Sequence, residues 1–227
     1  MVKPFDRTDP VGSFKAVLRG LMKGYEFDIV GLYLKDGSIR PLPRESSLVG
    51  RVLEVSLKEY LHRKLLQMKD LKWIAGGERT YPDLTFNGPL ISPNRFAVDV
   101  KCARRAERGT RTQSAITIGT FDADYYRHPK QPAPNIAMPY ASYTAHLALI
   151  ALYDYAEATA RNLELLVVEK WRVATRRRSS GTRCYIAAVS DLAKLKGEQG
   201  DFASEADFNT FWRSQPIRGT KQNRPVA

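Results

Sequence analysis

Phe96-Ala97-Val98-Asp99-Val100-Lys101 alternates with the period of two that a β-strand imposes, so Val98 and Val100 share one face while Asp99 and Lys101 share the other. The valines face a core, and the carboxylate and ammonium project together from the opposite side. Sixteen residues before Asp99 stands Tyr81-Pro82-Asp83. Between the two, the turn sequence Asn87-Gly88-Pro89 and a loop through Ser92-Pro93-Asn94 predict that the strand carrying Asp83 folds back beside the first. Two carboxylates then meet at one point with an ammonium next to them.

That trio has a chemical use. Hard divalent ions such as magnesium take carboxylate oxygens, keep several waters, and use one or two protein carboxylates alongside a substrate phosphate. Asp83 and Asp99 suit that task. The Lys101 ammonium can orient an attacking water, favour its ionised form and offset charge building on a pentacovalent phosphorus. The pattern points to metal-dependent phosphodiester hydrolysis. Asp70-Leu71-Lys72 repeats the tripeptide spacing but has no Pro-Asp before it and no apolar strand around it, so Asp70 and Lys72 read as surface residues.

With 227 residues, 43% of them hydrophobic, the chain is long enough for one sizeable core and short for two domains. A single domain over residues 1–227 is expected. The formal net charge of +12 implies an anionic partner, for which nucleic acid is the usual candidate. The N-terminus, Met1-Val2-Lys3-Pro4-Phe5-Asp6, lacks the apolar core of a secretion signal, which predicts a cytoplasmic protein. The charge-free run 136–153 carries Pro139, His146 and several hydroxyls and suits a buried helix better than a membrane span. Cys102 and Cys184 form no disulfide framework, and His62, His128 and His146 have no zinc-ligand spacing.

The remaining elements follow from pattern. Leu48, Val49, Val52, Leu53, Leu57, Leu61 and Leu65 recur at helical spacing behind Ser46 or Ser47 as N-cap. Residues 25–34 and 37–42 read as strands joined by the turn Lys35-Asp36-Gly37. A strand near 114–118, a long helix over 140–162 and a strand over 163–173 are expected next. Ser204-Glu205-Ala206-Asp207 starts a last helix with the apolar stripe Phe208, Phe211, Trp212. The class is α/β, with a mixed sheet flanked by helices. Glu54 shares a helix face with Leu57 and Leu61, so it reads either as a rim glutamate or as a third carboxylate.

These stretches also carry a resemblance. Residues 25–42 (YEFDIVGLYLKDGSIRPL), 48–54, 81–85, 97–101, 116–119, 138–146 (MPYASYTAH), 169–171 and 204–213 (SEADFNTFWR) resemble, in order and approximate spacing, the EcoRV-type restriction endonucleases. The resemblance covers about residues 25–218. It implies a restriction-endonuclease-like fold, with Asp83, Asp99 and Lys101 as the catalytic PD-(D/E)xK set and Glu54 as an auxiliary metal or water contact. It implies Mg2+ as cofactor and double-stranded DNA as substrate. A prokaryotic homodimer, joined through 25–70, and a cognate DNA methyltransferase in the same system follow as well. The catalytic strands would be 81–118 and the recognition loop 174–184.

DNA contacts need positive charge for phosphates and a presented edge for bases. Arg176-Arg177-Arg178-Ser179-Ser180-Gly181-Thr182-Arg183 offers both, at the place where the family has its major-groove loop. Arg177, Arg178, Ser180, Gly181, Thr182 and Arg183 are the candidates. Ser180-Gly181 matches the family, whereas Thr182-Arg183 replaces Asn-Thr and Arg176 to Arg178 are more basic, so the target sequence is its own. Arginine pairs best with guanine O6 and N7, which makes Arg183 or a neighbour the expected reader of a G·C pair. Gly77 and Arg79 stand where the family has a glutamine-rich minor-groove loop. Arg104, Arg105, Arg108 and Arg111, with Arg218 and Lys221 near the C-terminus, are candidate phosphate contacts. The expectation is a type II restriction endonuclease that cuts both strands of a short palindrome to blunt ends with 5′-phosphates. A repair-type or nicking nuclease using the same site, or a DNA-binding module without catalysis, are the alternatives.

Overall fold

The middle of the sheet is a nine-residue strand, Phe96–Arg104, with its apolar residues turned to both faces. The structure, a computed structural model, describes residues 5–77, 80–119, 123–177 and 185–215. In chain order the elements are α1 (Pro10–Leu21), β1 (Gly31–Tyr33), β2 (Ile39–Pro41), α2 (Ser46–Leu65), β3 (Lys72–Ala75), β4 (Leu84–Asn87) and β5 (Phe96–Arg104). They continue with β6 (Arg111–Ile118), α3 (Ala123–Arg127), β7 (Ala145–Ala156), β8 (Thr159–Glu169), β9 (Ala187–Asp191), α4 (Leu192–Lys196) and α5 (Glu205–Ser214). Five strands form the main sheet in the order β3-β4-β5-β7-β8. β5 and β7 run parallel, and every other neighbouring pair is antiparallel. β1 with β2 and β6 with β9 make two smaller antiparallel pairs. The expected mixed sheet flanked by helices is therefore present.

Two apolar layers cover the sheet. On one face Val98, Val100, Leu147 and Leu149 pack with Leu53, Leu57 and Leu61 of α2 and Phe14 and Leu18 of α1. On the other, Ala97, Ala148, Ile150 and Leu152 pack with Tyr125, Tyr126, Phe208 and Trp212. The period-two reading of β5 holds, with Asp99 and Lys101 on the second face beside Ala97 and Ala103.

Residues 140–162 are not the expected long helix. A 3-10 turn over Tyr140–Ser142 leads into β7, which turns back at Glu157 and Ala158 into β8. The reason is burial: Ala145 to Tyr153 are all covered, because β7 is a central strand between two layers. Such a strand needs no polar face and so shows no alternation. The strand expected over 163–173 is likewise displaced to β8, followed by a 3-10 turn over Trp171–Val173.

The other expectations stand with small shifts. α2 starts at Ser46, with Glu45 in the N-cap position. The 25–42 hairpin is present but short, and its strands pair Leu32 with Arg40. Ser204 caps α5, its hydroxyl accepting from the Asp207 N–H at 3.1 Å. Asp70 and Lys72 are exposed. Gly88 has φ +120, and a Cβ there would lie 2.7 Å from the Asp70 carbonyl, so only glycine fits the turn that brings β4 back along β5. α1 is an element that the sequence reading leaves unassigned.

Candidate active site

Asp83 sits where β4 stops pairing with β5. The ladder runs as far as Leu84 opposite Val98, and beyond it the Val100 N–H is left without a backbone acceptor from β4. The Asp83 carboxylate takes that bond through Oδ2 at 2.7 Å. Asp83 is in turn held from its own backbone, whose carbonyl accepts from the Gly76 N–H at 2.8 Å. The end of a strand pairing thus becomes an anchored carboxylate.

Asp99 comes from the sheet itself and is 6% exposed. Lys101 Nζ lies 3.0 Å from each of its oxygens. A second ammonium, Lys170 Nζ, donates to Oδ2 at 3.0 Å from the end of β8. Burial alone would raise the Asp99 carboxyl, but Lys170 and Lys101 outweigh it and hold the group well below the usual carboxylate range. Burial and the neighbouring Asp99 charge raise Asp83, with Lys58 opposing them. Burial lowers Lys170 to about 8 against the pull of Asp99, whereas Asp99 carries Lys101 above its ordinary value despite burial.

Glu54 belongs to the same cluster through Lys58. Lys58 Nζ bridges Glu54 Oε1 at 2.6 Å and Asp83 Oδ1 at 2.8 Å, and Arg51 adds a contact to Glu54 Oε2 at 2.8 Å. Burial works against the charged form of Glu54, yet Lys58 and Arg51 bring its carboxyl below the usual value. Glu54-Lys58-Asp83 and Lys101-Asp99-Lys170 therefore form an ion network of two triads that meet where Asp83 adjoins Asp99.

A buried carboxylate and a part-buried one, the second raised by its burial and by the charge of the first, are a donor set whose repulsion a hard divalent cation would relieve. The residues fit a magnesium-type ion. Among the described residues no three His, Cys, Asp or Glu side chains come together as a ready metal cage, and Glu54 meets Asp83 only through the Lys58 ammonium.

Asp83, Asp99, Lys101 and Glu54 are thus brought together, while the basic candidates scatter. Arg105 is only 13% exposed, with its guanidinium spent on Asp154, Glu164 and the Asn162 carbonyl. Arg104 donates to Gln113 and the Arg44 carbonyl, and Arg111 to Ser190. Gly77, Arg108 and Arg177 are exposed. Arg79, Arg178, Ser180, Gly181, Thr182, Arg183, Arg218 and Lys221 lie outside the described residues, as do Ser179 and Cys184.

Two site residues escape the sequence reading. Lys58 carries a usable signal, standing four residues after Glu54 on one helix, the spacing of an ion pair. Lys170 falls in the 169–171 stretch that carries the resemblance, but no spacing ties it to Asp99, since 71 residues separate them and only the fold of β8 against β7 and β5 unites them.

The chain also matches a known family. A family model described as Restriction endonuclease EcoRV matches residues 23–226, a span that includes every residue of the ion network. No curated protein matches the chain. No helix among the described residues is long and apolar enough to cross a membrane. With the match running over nearly the whole chain and the carboxylate-lysine cluster inside it, the chain belongs to the EcoRV restriction endonuclease family and is a type II site-specific deoxyribonuclease, a hydrolase that binds DNA.

Proposed function

We propose that the enzyme hydrolyses one phosphodiester in each strand of a short palindromic site, with Mg2+ as cofactor, leaving blunt ends with 5′-phosphates and 3′-hydroxyls. The juxtaposition of Asp83, Asp99 and Lys101 carries this reading. Asp83 and Asp99 would hold the cation, with Glu54 as an auxiliary contact. The ion supplies Lewis acidity at the phosphate and a lowered pKa for bound water. Lys101, held against Asp99, stands ready to orient a water for in-line attack and to offset the charge that grows on the phosphoryl oxygens.

A twofold DNA site calls for a twofold protein, so the working unit is a homodimer. What supports the contact region over 25–70 is the β1-β2 hairpin. It exposes Val30, Leu32, Tyr33 and Ile39 together, Tyr33 to 77%. Phosphate contact falls to exposed arginines such as Arg177, with base reading by the segment that follows it. A cognate methyltransferase would protect host DNA without touching this chain.

The test is digestion of phage and plasmid DNA by wild type and Lys101→Ala, each with Mg2+ and with EDTA, followed by end sequencing. Discrete Mg2+-dependent fragments with flush ends, slowed about 10²- to 10³-fold in the variant, are expected. A smear unchanged by the substitution, or nicks in one strand only, would overturn it.

A further inference from the structure

We propose that Lys170 is a positioning residue for the reaction, a second lysine outside the PD-(D/E)xK set that fixes the Asp99 carboxylate by holding its Oδ2. The inference rests on the nuclease reading of the Asp83, Asp99, Lys101 site.

Lys170 is 2% exposed, so its ammonium is buried within the protein. A methionine of similar length would fill the same space without the cost of burying a charge. The charge meets Asp99, whose Oδ2 receives both Lys170 and Lys101, while among the described residues its Oδ1 receives Lys101. The doubly held oxygen sets the carboxylate plane. Oδ1 is left with the greater lone-pair capacity for a cation.

The surroundings hold Lys170 still. Its backbone N–H donates to the His146 carbonyl at 2.9 Å, on the strand beside β5, and its own carbonyl accepts from Val173 at 3.3 Å. Its ammonium lies 4.2 Å from the centre of the Tyr81 ring, a cation-π contact. The Tyr81 hydroxyl is 2.8 Å from His146 Nδ1, and the His146 ring stacks on Tyr140 at 4.2 Å. Burial and the nearby Lys170 lower His146 to about 3, so its ring is neutral and adds no competing charge. A side chain supported in this way can transmit a fixed position to the carboxylate it touches.

The experiment compares wild type, Lys170→Met and Lys170→Arg by thermal unfolding in EDTA, Mn2+ binding without DNA by electron paramagnetic resonance, and single-turnover cleavage at saturating Mg2+. With one positive charge removed from Asp99, Lys170→Met should bind Mn2+ roughly threefold or more tightly. With the carboxylate no longer held, it should cleave roughly 10- to 100-fold more slowly. Lys170→Arg should return Mn2+ affinity toward wild type and restore part of the rate. A merely structural role would lower the unfolding midpoint, metal affinity and rate together, with no rescue by arginine, and that result overturns the proposal. So does a Lys170→Met rate within twofold of an active wild type. If Lys170→Met does not fold, Lys170→Gln takes its place with the same expectations. An inactive wild type would overturn the nuclease reading instead, and the Mn2+ titration, which needs no cleavage, would still decide whether Lys170 acts on Asp99.

Discussion

The Val100 N–H donates to Asp83 Oδ2 at 2.7 Å, across the gap where β4 ceases to pair with β5. The bond makes Asp83 a structural residue as well as a candidate metal ligand, and the two roles separate by substitution. Asp83→Ala strands a buried backbone donor and should cost about 1–3 kcal/mol of stability. Asp83→Asn keeps an oxygen acceptor and removes the repulsion with Asp99. The folded-state value of Asp83 is raised by burial and Asp99, so its ionisation opposes folding as pH rises, whereas below its unfolded value both variant and wild type carry a neutral side chain. The unfolding midpoint of Asp83→Asn relative to wild type in EDTA should accordingly climb as pH rises above about 4, the ordinary aspartate value. Thermal scans upward from that pH check the sign, and a gap that is flat or falls with pH would contradict it. Both variants should lose cleavage.

Lys58 occupies the space between Glu54 and Asp83, and its ammonium is raised by the two carboxylates in spite of burial. A divalent cation drawn to that pair must compete with it. Lys58→Met should lower the unfolding midpoint in EDTA, since two carboxylates lose their counter-charge, and should recover most of the difference when Mn2+ is added. Calorimetric titration with Mn2+ should show tighter binding than wild type. Equal affinity in the two proteins would mean that Glu54 and Lys58 lie outside the metal-binding equilibrium.

The site was more legible in the sequence than the frame around it, for physical reasons. Asp99 and Lys101 alternate with Val98 and Val100 along β5, so the period of two reveals them although Ala97 and Ala103 share their face. β7 is apolar on both faces, and its run of buried residues has no period to separate strand from helix. α1 did carry a signal, with Asp9 accepting from the Gly12 N–H before Pro10 and with Phe14, Val17, Leu18 and Leu21 buried at helical spacing. Gly12 and Gly20 weaken that pattern. The pairing of Lys170 with Asp99 cannot be read from spacing because it is a contact between distant strands, whereas Arg105 looks like one more basic surface residue until Asp154 and Glu164 are seen around it.

The hairpin β1-β2 exposes Leu32 and Tyr33, which are free of core packing and should tolerate charge without loss of fold. Leu32→Glu with Tyr33→Lys should leave the unfolding midpoint close to wild type, within the roughly 0.5 kcal/mol usual for surface changes. If this face joins two copies, sedimentation velocity should show a single chain where wild type sediments as a pair, and double-strand cleavage should fall while DNA binding weakens. A variant that still sediments as a dimer would move the interface elsewhere.

Arg105 offers the last test, because its charge can serve the protein or the DNA but its geometry favours the first. Its guanidinium donates to Glu164 at 2.9 Å and to the Asn162 carbonyl at 2.9 Å, tying the end of β5 to β8 across β7. Arg177 is exposed and precedes the segment expected to read the bases. Each phosphate contact contributes close to one unit to the slope of log affinity against log salt. Arg177→Ala should therefore flatten the slope by about one unit at nearly unchanged stability. Arg105→Ala should lower the unfolding midpoint, since Asp154 loses its arginine and Glu164 keeps only Lys196 among the described residues, and leave the slope as it was. Binding titrations in Ca2+ over a range of salt concentrations, which report affinity without cleavage, distinguish the two, and a flattened slope in Arg105→Ala would show that this arginine leaves its acidic partners for the DNA backbone.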